Sequence, residues 1–289
     1  PMNMEMLLNA VDMAENEGWK GIVIGNDAAN FCAGANLGLA LFAANLAAWK
    51  DLDDFIGLGQ DTYQTLKFSE VPIVAASAGL CLGGGAEVLM HCDAVQAHSE
   101  SYVGLVEVGV GIIPAWGGCK EYLGRVKEFG LVSNGPMGAV MKAFEVIGTA
   151  QVAKSADQAR TMGFLGPNDR ITMNRDRLLS DAKKTLIELS KDYSPPEPRT
   201  YSLPGPSGKA ALELAVNDLA LSGKVTPHDI VVTNALAEIL TGGDTDITDI
   251  LEEDDILAME KNAITTLAKN TDTLDRMQHM LETGKPLRN

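Results

Sequence analysis

The sequence predicts an α/β fold in which a covered parallel sheet gives way to a helical extension. Three observations carry that prediction. Short, continuously apolar runs at 21–25, 72–77 and 94–97 alternate with segments of helical periodicity. Small-residue, glycine-rich turns follow the first two of those runs. Beyond about residue 140 the strand signal fades and apolar residues recur only at helical spacing.

In chain order, 4–17 places Leu7, Leu8, Val11 and Ala14 on one helical face, and Gly18 ends it. The run at 21–25 (GIVIG) and the run at 72–77 (PIVAAS) read as buried strands. A glycine-rich turn follows Ser77, then a helix at 86–92 and a short strand at 94–97. Later helices are expected at 176–193, 209–221, 227–240 and 252–269. The third opens on Thr226, Pro227, His228 and Asp229: an N-cap, a proline in the first turn and an acid that suits the dipole. SPPEPR (194–199), with PGP (204–206) beyond it, reads as a stiff, solvated connector.

Composition narrows the class. Of 289 residues, 46% are apolar, enough to offset chain entropy and to exclude bulk disorder. Against 23 Lys+Arg stand 39 Asp+Glu, a net charge of −16, which argues against nonspecific binding to nucleic acid or to an anionic membrane surface. The longest near-continuous apolar stretch, 37–49, falls short of the roughly 20 residues that span a bilayer. Cys32, Cys81, Cys92 and Cys119 sit in apolar segments without a C-x-x-C pair, as reduced thiols of a cytoplasmic protein do. Pro1 in place of methionine leads us to expect a natural beginning upstream.

Two segments can carry chemistry. One is the turn NFCAGANL (30–37); the other is GLCLGGGAEVLM (79–90), strand, triglycine and helix. A P-loop would need Gly-Lys-Ser/Thr where Ala86 and Glu87 stand, and a carboxylate there repels phosphate. Two such turns at strand ends can instead supply two N–H donors to one carbonyl oxygen, an oxyanion hole worth about 3–4 kcal/mol per donor. Glu87 falls in the first turn of the following helix. Glu107 lies within 102–118, a stretch almost free of other charge, where burial would raise its pKa and suit it to acid–base work. Each feature alone has a plainer explanation: a first-turn acid complements the helix dipole, and glycine-rich turns often mark close packing only. Their combination and order weigh more.

FCAGAN (31–36), VPIVAA (71–76), LGGGAE (82–87) with Cys92 and Asp93, then Glu107 and IPAWGG (113–118), resemble the crotonase superfamily over residues 1 to about 170. The resemblance implies a ββα spiral assembled as trimers or dimers of trimers, here a core at 1–175 lacking its first β-hairpin and a helical extension at 176–289. It places the oxyanion-hole amides at Ala35 and Gly84 and the two acid–base carboxylates at Glu87 and Glu107. It also places substrate contacts at Ala33, Asn36, Leu37, Gly83, Pro114, Ala115 and Trp116. The implied reaction is syn hydration of a trans-2-enoyl-CoA in fatty acid β-oxidation. No cofactor and no metal are expected, CoA being part of the acyl-CoA substrate. Isomerases of the superfamily tend to use a single carboxylate, so the pair favours a hydratase. An isomerase, another crotonase-type acyl-CoA enzyme and a noncatalytic assembly module are the alternatives.

Asn36 stands where many relatives have Asp. Trp116 is also a departure, and reads equally as lining an acyl pocket or as core. Trp116, the stretch at 37–49, the helical extension and the ending MLETGKPLRN (280–289) resemble the hydratase part of bacterial proteins that also carry a 3-hydroxyacyl-CoA dehydrogenase. Gly57 and Gly59 form a lone G-x-G without a preceding strand, so no dinucleotide site is expected in this chain. His91 and His98 read as packing or surface residues, and DTDITD (244–249) as an acidic helix entry rather than a calcium loop, lacking glycine at its sixth position. Lys120, Arg125 and Lys127 read as a solvated helix face or as positive charge for CoA phosphates.

Overall fold

A computed structural model describes residues 2–133 and 135–289; Pro1 lies outside the described residues. The elements run α1 (Met2–Asn16), β1 (Ile22–Gly25), α2 (Leu37–Asn45), α3 (Trp49–Lys67), β2 (Ile73–Leu82), α4 (Gly84–Met90) and β3 (Ala94–Gly104). A 3-10 turn at Glu107–Val110 precedes α5 (Gly118–Glu128), α6 (Pro136–Gly148), α7 (Ala156–Thr161) and β4 (Arg170–Thr172). Then follow α8 (Leu178–Leu189), β5 (Thr200–Tyr201), α9 (Gly205–Leu221), α10 (Pro227–Thr241), β6 (Leu251–Glu252), α11 (Glu253–Leu267) and α12 (Thr271–Thr283). The chain divides into two compact units. The first holds the residues before Ala35 with 57–104 and 152–197; the second holds 35–56, 105–151 and 198–289.

The first unit is built on a parallel sheet in the order β1-β2-β3-β4. Alternate residues of β2, Val74, Ala76 and Ala78, share one face, and they pack with Ala94 against Leu178, Ala182 and Leu186 of α8. The periods of two and of four are those of a strand and of one helix face. Thus α8, expected as the first helix of the extension, covers the sheet. Two strands are longer than their apolar runs suggest. β2 continues past Ser77 to Leu82 because the preceding loop pairs with it: Cys32 donates to Leu80 O and Leu82 donates to Cys32 O, both at 2.9 Å. At Gly79, φ is +62° and an added Cβ would lie 2.2 Å from Ala29 O, so only glycine fits the bulge.

The second unit is helical, with α10 packed on α5, α6, α9 and α11. Its apolar stretch at 37–49 is a helix, a turn and the start of another helix. The expected N-cap holds: Thr226 and Asp229 form a reciprocal capping box at the start of α10. The connector at 204–206 is corrected. Pro204 and Gly205 are buried, and Gly205 begins α9, because Tyr201 and Leu203 bury their side chains and draw the chain inward. The segment at 244–249 is not a helix entry but a turn before β6, in which Asp246 accepts from Thr248 N and Asp249 from Asp246 N, each at 2.9 Å. Among the described residues no helix is long and apolar enough to cross a membrane.

Candidate active site

In the first unit, β2 ends in the triglycine turn. Gly83 has φ +56° and donates to Gly104 O at 2.9 Å, which turns the chain off the sheet into α4. Gly84 is the first residue of α4, so its N–H has no acceptor within the helix and is free to serve a ligand oxygen. Three residues on, Glu87 is 2% exposed. Gly85 is as small as it must be: a Cβ there would meet the Cys32 Cβ at 2.7 Å and the Cys32 carbonyl at 2.9 Å. The same contact sets the loop bearing Ala33, which is exposed, beside the end of β2. The first unit therefore brings together Ala33, Gly83, Gly84 and Glu87.

Two side chains that the sequence reading did not assign to this turn hold it. Tyr63 of α3 donates its hydroxyl hydrogen to Gly84 O at 3.1 Å. The His91 ring meets the Glu87 carbonyl through Nδ1 at 2.7 Å and lies 5.5 Å from the Tyr63 ring. His91 is thus a packing residue, as expected, with a defined task. His98 accepts from Glu100 N at 3.2 Å.

In the second unit, Asn36 caps α2, its side chain accepting from Leu39 N at 3.3 Å. Asp and Asn cap helices equally well, so an Asp at this position would serve the same cap. Ala35 is exposed ahead of that cap, and Leu37 is half-buried. Glu107 opens the 3-10 turn. Expected to be buried, it is half-buried, with its Oε2 enclosed. Helix α12 touches both α2 and this turn, so the elements that bear Leu37 and Glu107 share a neighbour.

Pro114, Ala115 and Trp116 form the loop entering α5. Trp116, half-buried, meets Phe55 edge-on at 5.5 Å and packs against the cluster of Leu52, Ile56, Ala115 and Ala268. The N-terminus of α5 has no cap of its own. Glu260 of α11, fully buried, supplies one, accepting from Gly117 N at 2.8 Å and Lys120 N at 3.0 Å.

Lys120 is neither on a solvated face nor available to phosphates. It is fully buried against Glu121 and, at 2.8 Å, Glu253. Burial alone would lower its pKa, but the two carboxylates outweigh that and hold it above the ordinary lysine value. Arg125 is buried too, lying over the Phe129 ring at 5.4 Å, while Lys127 is exposed. Among the described residues no group of three or more His, Cys, Asp or Glu side chains is arranged to hold a metal ion.

Residues 2–128 match the enoyl-CoA hydratase/isomerase family. The fold is that of an enoyl-CoA hydratase from Bacillus halodurans, with a TM-score of 0.63 at 19% identity over 95% of this chain and 88% of that one. The matched region, residues 2–128, belongs to the crotonase superfamily. The chain is 39% identical, over 99% of its length, to the Bacillus subtilis protein named "Probable 3-hydroxyacyl-CoA dehydrogenase", covering 36% of that protein. It is 32% identical to the crotonyl-CoA hydratase of Syntrophomonas wolfei over 56% of this chain and 55% of that protein. The chain spans about a third of the length of the first of these relatives.

Proposed function

We propose that this crotonase hydrates trans-2-enoyl-CoA thioesters. The observation that carries the reading is the burial of Glu87 three residues after Gly84, which puts a desolvated carboxylate next to an open backbone donor. In the reaction, the Gly84 and Ala35 amides donate to the thioester oxygen as it gains charge. Glu87 accepts a proton from water while the water oxygen bonds to C3, and protonated Glu107 delivers a proton to C2. The proton gained by Glu87 replaces the one lost by Glu107 before the next turnover. An ionised base and a protonated acid coexist when their surroundings push their pKa values apart. The chemistry draws on no cofactor of the protein, since CoA arrives with the substrate.

The proposal extends to context. The relatives' names support a place in fatty acid β-oxidation beside a 3-hydroxyacyl-CoA dehydrogenase; a cytoplasmic, trimer-based oligomer is part of the same proposal.

Loss of the conjugated enoyl absorbance of crotonyl-CoA tests it, using the whole protein that carries this chain. Glu87→Gln and Glu107→Gln are each expected to lower kcat by about 10²–10⁴-fold. Isomerisation of a 3-enoyl-CoA without hydration of crotonyl-CoA would make the protein an isomerase. Two fully active Gln variants would leave the carboxylates without a catalytic role.

A further inference from the structure

The turn that bears Glu107 is fastened from the far end of the chain. Gly111 closes the turn, its N–H and that of Ile112 donating to the Glu107 carbonyl. The Gly111 carbonyl in turn accepts from the Thr273 hydroxyl of α12 at 3.0 Å. That hydroxyl has one hydrogen, spent on Gly111, so its contact with His228 Nε2 at 2.8 Å is one in which Nε2–H donates and the oxygen accepts. The order is therefore His228 to Thr273 to Gly111, with both side chains at 1% exposure or less.

Thr273 is not occupied in capping its own helix, since Asn270 does that. The frame behind it is tied. Arg276, one helical turn on, pairs with Asp229 at 2.8 Å and donates to Thr226 Oγ1 at 3.0 Å, joining α12 to the start of α10. The seat is close: a Cβ on Gly111 would lie 3.1 Å from His228 Nε2 and 3.1 Å from Thr273 Cα.

We infer that Thr273, oriented by His228, is a positioning residue for Glu107, fixing the carbonyl at the close of the turn on which that carboxylate stands. The inference rests on the role proposed for Glu107. It assigns to the C-terminal helices a part in the chemistry and not only in packing. Misplacing a reacting group by a fraction of an ångström acts on kcat more than on substrate binding.

Thr273→Val keeps the side-chain volume and removes the hydroxyl; Thr273→Ser keeps the hydroxyl. With crotonyl-CoA, Thr273→Val is expected to lower kcat about tenfold or more with KM within about twofold, and Thr273→Ser to stay within about threefold of wild type. Equal kcat for Thr273→Val and wild type overturns the inference, as does Thr273→Ser falling as far as Thr273→Val. Should Thr273→Val lose its cooperative thermal transition, His228→Gln, which retains a donor, against His228→Leu reads the same contact. Retained kcat in the first and lost kcat in the second support the inference, and no difference between them overturns it. A wild-type protein that fails to hydrate crotonyl-CoA takes down the proposed function and this inference together; an active wild type with an unimpaired valine variant takes down this inference alone.

Discussion

The Tyr63 hydroxyl donates to the Gly84 carbonyl at 3.1 Å, both groups buried within the first unit. The residue proposed as an oxyanion donor is thus held through its carbonyl by a side chain from another helix. Tyr63→Phe removes one oxygen and keeps the ring against His91. It is expected to cost about 0.5–1.5 kcal/mol of stability, and to lower kcat for crotonyl-CoA several-fold with little change in KM. Denaturant unfolding and steady-state kinetics on the same preparation measure the two effects.

Gly85 predicts a steric failure at the same turn. Its added Cβ would sit 2.7 Å from the Cys32 Cβ and 2.9 Å from the Cys32 carbonyl, and the second of these is backbone. Gly85→Ala is expected to destabilise by about 1–3 kcal/mol, and Cys32→Ala should not restore it because the carbonyl remains. Thermal unfolding of the single and double variants decides the point.

Asp93 predicts a pH dependence of stability. Its carboxylate is pushed up to about 6 by burial, opposed by hydrogen bonds from Ile73 N at 2.8 Å and from the Tyr193 hydroxyl at 3.0 Å. The folded state therefore binds the proton more tightly than the unfolded state, whose aspartate titrates near 3.8. Relative to an untitrating side chain, Asp93 favours the fold most below that value and loses the advantage as pH rises through about 6. The change is on the order of 2–3 kcal/mol. Asp93→Asn should flatten this component, so the stability difference between wild type and variant, followed by urea unfolding from pH 4 to 7, should shift against wild type as pH rises.

Sequence periodicity captured the elements whose signal is local. VPIVAA shows its strand because every residue is apolar, and Thr226 with Asp229 shows its cap because both partners lie in one turn. The far halves of β2 and β3 escaped it, since 98–104 is polar in part and Gly79 interrupts β2; pairing with 29–32 and between the two strands makes them strands. Helix α3 carries Leu52, Ile56, Tyr63 and Leu66 on a buried face, yet Gly57 and Gly59 weaken the local propensity. At the candidate site the motif residues stood out, while the residues that hold them did not. Thr273 and Gly111 are 162 positions apart, and the accepting partner is a backbone carbonyl that leaves no mark on composition.

Lys120 makes a further case. It sits between Glu121 and Glu253, and Glu121 also pairs with Arg199. Lys120→Met would leave two buried carboxylates short of their cation, at a cost of about 3–5 kcal/mol. Guanidinium unfolding should show a lower midpoint with an unchanged slope.

Glu260 tests whether the loop at 114–117 depends on a helix of the C-terminal part. Its carboxylate spans Gly117 N and Lys120 N, a cap at the start of α5 lent by α11 across 143 positions. Glu260→Gln keeps one acceptor oxygen and replaces the other by a donor facing an N–H, so one of the two bonds is lost. The negative charge that favours a helix N-terminus goes with it. The stability loss should be about 1–3 kcal/mol by urea unfolding. Since Pro114, Ala115 and Trp116 precede the cap directly, loosening it should raise KM for longer enoyl-CoA chains more than for crotonyl-CoA. Equal KM shifts across chain lengths would confine Glu260 to holding the helix and would remove the 114–116 loop from acyl recognition.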